Sequence, residues 1–215
     1  MYLLKTTITI GTAVLVGACS TTATPPTPPT PTSIGSYGGQ YAFIQNGSTI
    51  ITSGSTTAIP GGMLSWNNPN LRAYIQDNPD FTAAAIVDRA NSNQIYSGIS
   101  GATAVGVPTT GTATYTGRYG LIRVTAAHGG TPWGFTDVQT SNVDFGAGTI
   151  TGSGGLYGFA YSATIDGDYI SGTVSFDGDG AVTAPLEGGF YGTDTLAGVF
   201  TDDATITGVF YGTNP

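Results

Sequence analysis

One histidine and a nearby tryptophan are the side chains of this sequence best suited to bind a ligand. His128 is the single histidine of the 215 residues, and it precedes Trp133 in the segment His-Gly-Gly-Thr-Pro-Trp. An imidazole near an indole could ligate haem iron or anchor a protein interface, so His128 and Trp133 are the candidate ligand-binding residues. The alternative is a solvated histidine in a turn, because two glycines and a proline favour a turn.

No catalytic constellation accompanies this histidine. A Ser-His-Asp site would have to use His128, yet the sequence has no Gly-x-Ser-x-Gly segment to present a nucleophile. A pair of catalytic carboxylates is also disfavoured, since most of the acids lie in or beside turn signals. We therefore predict no catalytic residues and no enzymatic activity.

Two acidic segments admit two interpretations. Asp166-Gly-Asp168 and Asp177-Gly-Asp-Gly180 resemble parts of calcium-binding loops, in which closely spaced carboxylates supply oxygen ligands. Neither segment completes the D-x-D-x-D-G pattern with its distal glutamate. Asp-Gly is also a favoured hairpin turn, because the central residues of such turns adopt positive φ. We therefore interpret both segments as turns and predict no metal site. No cofactor is predicted for the protein either; bound calcium or haem is the alternative.

The single cysteine, Cys19, follows an apolar run that is typical of an export signal. The run, Ile8–Ala18, is too short to cross a bilayer, for which a helix needs about 20 residues. It ends Leu15-Val-Gly-Ala-Cys19, which resembles the lipobox of bacterial lipoproteins. This resemblance implies that residues 1–18 are a cleaved signal peptide and that Cys19 carries diacylglycerol and palmitate. A plain secretory signal with an incidental cysteine is the alternative.

The residues after the cysteine predict a tether and then a first folded region. Residues 19–33 are rich in proline and threonine, so we expect an extended spacer. Residues 34–107 are interpreted as a small β-rich handle region. Within it, Tyr41–Gln45 and Ser48–Thr52 should pair across an Asn-Gly turn. Thr82–Ala90 is predicted to be a strand because of its Ile-Val pair, with a short helix as the alternative because of its alanines.

The composition favours an all-β protein with an acidic surface. Only 8% of the residues are charged, glycine numbers 34, and good helix formers are few. The net charge is −8, and ten acids follow Arg123, the last basic residue. Because such a surface repels phosphate backbones, no nucleic-acid partner is expected.

From residue 108 to residue 215, turn residues and short aromatic or aliphatic runs alternate regularly. Gly198-Val-Phe200 recurs ten residues later as Gly208-Val-Phe210, a spacing that predicts antiparallel strands joined by tight turns. One turn is predicted at Tyr119-Gly120, between two strands. Eight or nine strands without a crossover helix predict an up-and-down β-barrel of about eight strands, filled by side chains. In one of them Tyr157, Phe159 and Tyr161 should share a face.

This C-terminal region resembles a known family of barrels. The similar segments are Gly111–Gly117, Val143–Phe145 with Thr149–Gly152, and Gly188–Gly192 with Ala197–Phe200. They resemble the C-terminal barrel of transferrin-binding protein B, a barrel also found in factor H binding protein and hemophilin-like haem-capture proteins. The resemblance implies a surface lipoprotein of Gram-negative bacteria, with lipobox, tether, handle and barrel in that order. It transfers no binding residue, because the ligand sites of the family lie mostly in variable loops.

The expected function follows from this resemblance. A protein of this kind is anchored by lipid to the outer membrane or cell surface, and Ser20, in place of an aspartate after the cysteine, agrees with outer-membrane sorting. It should bind a protein or a small nutrient, iron- or haem-related by analogy. The alternative is a structural or host-interaction surface lipoprotein without a small-molecule ligand. A transmembrane barrel is not expected, because glycine and threonine occupy positions where a lipid-facing aliphatic band would lie.

Replacing the predicted acylation site should release the protein from the membrane. We expect Cys19→Ala to abolish membrane attachment, because the anchor depends on acyl chains whose buried methylenes contribute about 0.8 kcal/mol each. Carbonate-washed membrane fractions probed for the chain provide the measurement, with Ser20→Ala as the control. Retention of the Cys19→Ala variant in washed membranes would contradict the lipoprotein prediction.

Overall fold

The computed structural model describes residues 33–37, 40–45, 48–52, 57–58 and 62–214. Sixteen strands make up most of these residues: β1 (Ser33–Tyr37), β2 (Gln40–Gln45), β3 (Ser48–Thr52), β4 (Thr57–Ala58), β5 (Met63–Asn68), β6 (Leu71–Asp77), β7 (Phe81–Asp88), β8 (Gln94–Gly101), β9 (Thr112–Arg123), β10 (Trp133–Asp144), β11 (Thr149–Gly154), β12 (Ala160–Asp166), β13 (Tyr169–Phe176), β14 (Val182–Tyr191), β15 (Thr195–Thr201) and β16 (Ile206–Thr213). A short 3-10 helix, Ala126–His128, follows β9. Within the described ranges, no helix has the length and apolarity needed to cross a membrane.

Strands β9 to β16 close into one antiparallel barrel. Each strand pairs with its neighbour in sequence, and β9 pairs with β16 as well as β10, which closes the ring. Strands β1–β3 form a three-stranded sheet and β4–β8 a five-stranded sheet. The predictions of an all-β fold and of an eight-stranded up-and-down barrel are therefore confirmed.

Two predictions for the region before the barrel are also confirmed. Tyr41–Gln45 pairs with Ser48–Thr52 as the β2–β3 hairpin, although its Asn-Gly turn lies outside the described residues. The segment predicted as a strand at Thr82–Ala90 corresponds to β7. The boundary predicted between residues 107 and 108 falls in the connection from β8 to β9, where Thr103 forms an isolated bridge to Tyr191.

Aromatic rings that lie over glycines fill the barrel interior. The repeated Gly-Val-Phe segments of β15 and β16 pair in a register that sets Gly198 opposite Phe210 and Phe200 opposite Gly208. A Cβ on Gly208 would lie 2.1 Å from the Phe200 ring, and a Cβ on Gly198 would lie 2.5 Å from the Phe210 ring. The sequence repeat is therefore a packing arrangement in which each ring occupies the volume of a missing side chain.

The same arrangement recurs on the opposite side of the barrel. A Cβ on Gly152 would lie 2.0 Å from the Tyr161 ring, and a Cβ on Gly154 would lie 2.4 Å from the Tyr119 ring. Tyr119 also stacks on Phe159, with 3.9 Å between the ring centroids. All these rings belong to one buried cluster inside the barrel. Eight strands enclose a space that side chains just fill, and here they fill it.

The five-stranded sheet covers part of the outer surface of the barrel. Met63, Tyr74 and Val87 of this sheet belong to the same buried cluster as Ile122 and Val209, which point outward from β9 and β16. The barrel is therefore packed on both faces of these strands. Burial of apolar area at about 25 cal/mol per Å² stabilises the sheet and the barrel as one unit.

The turn predicted at Tyr119-Gly120 is wrong. Strand β9 continues through these residues, and Gly120 pairs with Thr136 on one side and Val209 on the other. A Cβ on Gly120 would lie 2.7 Å from the Tyr74 ring of the five-stranded sheet. This glycine thus permits a close approach between sheet and barrel, a role that glycine has in strands as well as in turns.

The predicted alternation of Tyr157, Phe159 and Tyr161 is wrong at its first residue. Phe159 and Tyr161 are buried, whereas Tyr157 is 54% exposed. Tyr157 lies in the β11–β12 connection with a φ of 53°, and its carbonyl accepts a hydrogen bond of 2.8 Å from the backbone N–H of Asp177. A period of two along the sequence cannot show where a strand begins, because turn residues can extend the pattern.

Adding a methyl group under one of the interior rings should destabilise the barrel. We expect Gly208→Ala to lower the free energy of unfolding by about 1–3 kcal/mol, the range for overpacked cores. Urea denaturation followed by circular dichroism measures the effect. Gly146→Ala is the matched control, because its Cβ would meet only the Asp144 carboxylate at 3.4 Å. Equal midpoints for the two variants would contradict the packing argument.

Candidate functional site

Four connections meet at one end of the barrel, which we call the mouth. They are residues 124–132, 155–159, 177–181 and 202–205, which follow β9, β11, β13 and β15. Alternate connections of an up-and-down barrel lie at the same end, so the topology alone brings these segments together. The opposite end, called the base, carries the turns that follow β10, β12 and β14.

The two predicted ligand-binding residues lie side by side at the mouth. His128 ends the 3-10 helix, and Gly129 follows it with a φ of 61° that turns the chain back. The ring centroids of His128 and Trp133 are 5.3 Å apart. His128 Nε2 lies 2.6 Å from Asp179 Oδ2, and the two side chains are 45% and 31% exposed. Ligand binding by His128 and Trp133 stays a prediction, but their proximity is a property of the structure.

Trp133 belongs to a group of aromatic side chains that the sequence analysis did not identify. Its ring centroid lies 5.7 Å from that of Phe135, 6.1 Å from that of Tyr157 and 6.4 Å from that of Phe176. We call these four residues the mouth aromatics. Tyr157 is the exposed member, while Phe176 is fully buried. Aromatic rings presented beside polar loops are typical anchors in binding surfaces.

A buried arginine lies beneath the mouth aromatics. Arg123 is the last residue of β9 and pairs directly with Trp133 on β10. Its side chain is only 5% exposed, and its guanidinium carbon lies 5.7 Å from the centroid of the Phe176 ring. Burial lowers the pKa of Arg123, although the negative charges of Asp202 and Asp179 act in the opposite direction. Burial of a cation is costly unless its charge is compensated, and here these two carboxylates and the Phe176 ring offset part of the cost.

Asp202 organises the β15–β16 connection. Its Oδ1 accepts hydrogen bonds from the backbone N–H groups of Ala204, Thr205 and Ile206, at 3.0, 2.6 and 2.9 Å. Burial alone would raise the pKa of Asp202, but the hydrogen bonds from Thr205 and its neighbours hold that pKa below its usual value. This carboxylate is therefore ionised and committed to its own loop.

Side chains of β6 and of the β7–β8 connection hold the connection that carries His128 and the start of β10. Arg72 Nη2 donates to the carbonyl of Gly134 at 2.6 Å, and Asn93 Nδ2 donates to the carbonyl of Gly130 at 2.7 Å. Arg89 Nη2 donates to the carbonyl of Pro132 at 3.2 Å. The sheet thus positions the loop, in addition to covering the barrel wall.

A second polar group lies deeper in the barrel and has a structural role. Ser141 Oγ donates to Gln139 Oε1 at 2.8 Å and also contacts the hydroxyl of Tyr161. Gln139 Nε2 donates to the carbonyl of Tyr211 at 2.8 Å. Burial raises the pKa of Tyr161, so this phenol stays neutral. These groups satisfy one another, as buried polar groups generally do.

The acidic segments considered for calcium form turns. Asp166 pairs with Tyr169 across a turn in which Gly167 has a φ of 64°. In the second segment Asp179 and Gly180 have φ values of 56° and 95°. Across the described part of the chain, no three His, Cys, Asp or Glu side chains are grouped closely enough to hold a metal ion. Cys19, the predicted acylation site, lies outside the described residues.

The fold and the site together define a class of protein. The class is an all-β protein in which a closed eight-stranded barrel, filled by side chains, packs against a five-stranded sheet. The family model described as the C-lobe and N-lobe beta barrels of Tf-binding protein B matches residues 107–214, half of the chain. The chain therefore belongs to this family, whose members are ligand-binding proteins rather than enzymes.

Solved structures of transferrin binding protein B have a similar fold. A mutant from Haemophilus parasuis Hp5 is 17% identical to this chain, with a TM-score of 0.52. The match covers 80% of this chain and 40% of the Haemophilus protein. A double mutant from the same source is 19% identical to this chain, with a TM-score of 0.50. The match covers 80% of this chain and 40% of the double mutant. The isotype 1 protein from serogroup B Neisseria meningitidis is 18% identical to this chain, with a TM-score of 0.54. The match covers 81% of this chain and 39% of the Neisseria protein.

The extent of these matches defines what they show. At such identities the solved structures establish the fold alone, and the chain spans about 40% of the length of the proteins it resembles. Among curated proteins, none matches the chain. The recognition of a transferrin-binding protein B-like barrel from the sequence is therefore confirmed, and the ligand is a separate question.

Removing the Asn93 amide should loosen the loop that carries His128. We expect Asn93→Gly to accelerate hydrogen exchange at the Gly130 and Thr131 amides by a few-fold to about tenfold, since one hydrogen bond contributes about 0.5–1.5 kcal/mol. Glycine tolerates the positive φ of 59° at this position, so the variant removes only the side chain. Ser92→Gly, also at positive φ in the same turn, is the matched control. Identical exchange rates in both variants would contradict the positioning role.

Proposed function

We propose that this chain is a lipid-anchored protein of the outer membrane or cell surface that binds a protein or a small nutrient through the mouth of its barrel. Family membership is the observation that carries the proposal, because barrels of this family belong to binding proteins. The ligand-binding residues we propose are His128 and Trp133. No catalytic role is proposed for any residue.

The chemistry of the mouth supports binding there. Tyr157 is 54% exposed and its ring lies near those of the partly buried Trp133 and Phe135, and the adjacent Leu156 is 44% exposed. Exposed apolar side chains beside a buried aromatic group provide the anchor that protein interfaces and ligand pockets commonly use. The imidazole of His128 adds a group that could bind a metal-containing ligand such as haem.

The proposed ligand is iron-related. The similar solved structures belong to proteins named for binding transferrin. By analogy, an iron-carrying protein or haem is the ligand class we propose for this chain. No nucleic-acid partner is proposed, because most of the acidic residues lie in the barrel half of the chain.

Membrane attachment is the second part of the proposal. Acylation of Cys19 would anchor the chain, and the proline-rich residues 19–33 would hold the folded part away from the membrane surface. This arrangement suits a protein that captures a ligand outside the membrane.

A surface lipoprotein that recognises only a macromolecular partner is the second candidate. The packed interior of the barrel favours it, since the aromatic rings over Gly198 and Gly208 and the satisfied Gln139–Ser141–Tyr161 group occupy the central space. A partner would then contact the mouth without entering the barrel.

Thermal melting of the chain from residue 20 onward, with a panel of haem, ferric chelates and divalent metals, distinguishes the two candidates. A ligand at 100 times its dissociation constant stabilises the folded state by about 2.7 kcal/mol, which shifts the melting temperature by several degrees. We expect a shift with an iron-containing ligand that His128→Ala removes and Thr131→Ala, in the same loop, retains. No shift with any ligand would exclude the small-nutrient role and leave the macromolecular partner, for which affinity capture is the direct assay.

A further inference from the structure

A cavity lies at the base of the barrel, at the end opposite His128 and Trp133. The connection from β8 to β9, residues 102–111, contributes to its wall, and we call this connection the strap. The strap and the barrel turns after β10 and β12 line a space of about 390 Å³ that opens to solvent. Binding sites for small molecules commonly have volumes of about 300–1,000 Å³. The base cavity is therefore large enough for a small organic molecule.

Hydrogen bonds attach both ends of the strap to the barrel. Near its start, the backbone N–H of Ala104 donates to the carbonyl of Phe190 at 2.8 Å, and Thr103 forms the bridge to Tyr191. At its end, the carbonyl of Gly111 accepts a hydrogen bond of 2.9 Å from the backbone N–H of Phe145. The cavity thus lies between segments that are bonded to one another.

Most of the cavity wall is apolar. Ala104 and Val107 of the strap line the cavity, together with Phe145 and Ile165 of the barrel. The same four side chains pack against the buried cluster inside the barrel, so the cavity wall continues the hydrophobic core. An apolar ligand body that covers this wall would remove its surface from water, which favours binding.

One carboxylate is placed at this apolar wall. Among the described residues that line the cavity, Asp168 is the only ionisable one, and it is partly buried. Glu187 adds a second negative charge nearby. Burial raises the pKa of Tyr191, and the charges of Glu187 and Asp168 raise it further. The base of the barrel therefore has a negative potential beside an apolar surface.

The basic side chains of the described ranges lie away from the base. Arg72 and Arg89 donate hydrogen bonds to the carbonyls of Gly134 and Pro132, at the mouth. Arg123 ends β9 at the mouth, whereas Arg118 lies near the middle of that strand.

His128, the remaining basic side chain of these ranges, is also at the mouth, where it lies beside Asp179. The charge of Asp168 is thus left to solvent or to a ligand. A cationic group is the ligand that complements it, because an ammonium forms charge-assisted hydrogen bonds to a carboxylate.

We propose that the base cavity binds small organic ammonium compounds with an apolar body, the ammonium pairing with Asp168 and the body packing against Val107, Phe145 and Ile165. The carboxylate selects the charged end of the ligand, and the apolar wall selects the rest. This site is separate from that of His128 and Trp133 at the mouth, and it does not depend on the function proposed for the mouth.

Two probes with the same ring and opposite charges test the proposal. Phenethylamine, added to the chain from residue 20 onward, should cause saturable shifts of the NMR amide resonances of Gly106, Gly148 and Gly167, which line the cavity. 3-Phenylpropionate should bind at least about tenfold more weakly, because its carboxylate is repelled by Asp168. Absence of saturable shifts at these amides, or equal affinities of the two probes, would overturn the proposal.

Substitution of two aspartates in one turn distinguishes a site from general attraction to an acidic surface. Asp168→Asn should weaken phenethylamine binding several-fold, because it removes the charge and keeps the size of the side chain. Asp166→Asn is the matched control, since Asp166 is exposed and does not line the cavity. The control should retain the affinity of the unmodified chain. Equal losses in the two variants, or no loss in Asp168→Asn, would contradict the proposed site.

Filling the cavity tests the site without changing its charge. Thr109→Trp, at an exposed position of the cavity wall, should abolish phenethylamine binding by occupying the space of the apolar body. Val105→Trp is the matched control, because Val105 is fully exposed in the same strap and does not line the cavity. Both variants should melt at the temperature of the unmodified chain. Full binding by a folded Thr109→Trp variant would place the probe elsewhere and refute the proposal.

Discussion

The pairing of aromatic rings with glycines inside the barrel is the constraint on which the rest of this structure depends. An eight-stranded barrel encloses a space that must be filled by side chains, and large rings can fill it only where the facing residue has none. Phe200 over Gly208 and Phe210 over Gly198 meet this requirement on adjacent strands. The register of these strands is consequently fixed: a slip of two residues would set Phe200 against Phe210, or Gly198 against Gly208, and a slip of one would turn the rings of one strand to the outer face.

The filled interior moves recognition to the ends of the barrel. Four connections form the mouth, and their conformation is not set by the barrel alone. Arg72 of β6 donates a hydrogen bond to Gly134, next to Trp133 at the start of β10, and Asn93 of the β7–β8 connection donates one to Gly130 in the loop that carries His128. The sheet and the barrel therefore share two tasks: they bury one another's apolar surface, and they fix the geometry of the candidate site. Binding loops on a rigid scaffold are a general solution to this problem.

The polar groups at the mouth are less fully paired than those deeper in the barrel. Arg123 is buried with unpaired donors, and the nearby carboxylates Asp179 and Asp202 are occupied by other partners. Deeper in the barrel, by contrast, the Gln139–Ser141–Tyr161 group is internally satisfied. The deeper polar group is thus satisfied within the fold, whereas the guanidinium of Arg123 has the Phe176 ring and the charges of Asp202 and Asp179 near it.

The sequence by itself determined the all-β class, most of the strands and the up-and-down barrel, because strand periodicity and turn residues act over a few positions. It also identified His128 and Trp133 as neighbours, since only four residues separate them in the sequence. Only the tertiary structure decided that Gly120 lies within a strand under Tyr74, and that Tyr157 belongs to a turn. The contacts of Arg123 with Phe176 and of His128 with Asp179 also depend on the tertiary structure. Each joins residues about fifty positions apart in the sequence, which is beyond the range of local sequence patterns.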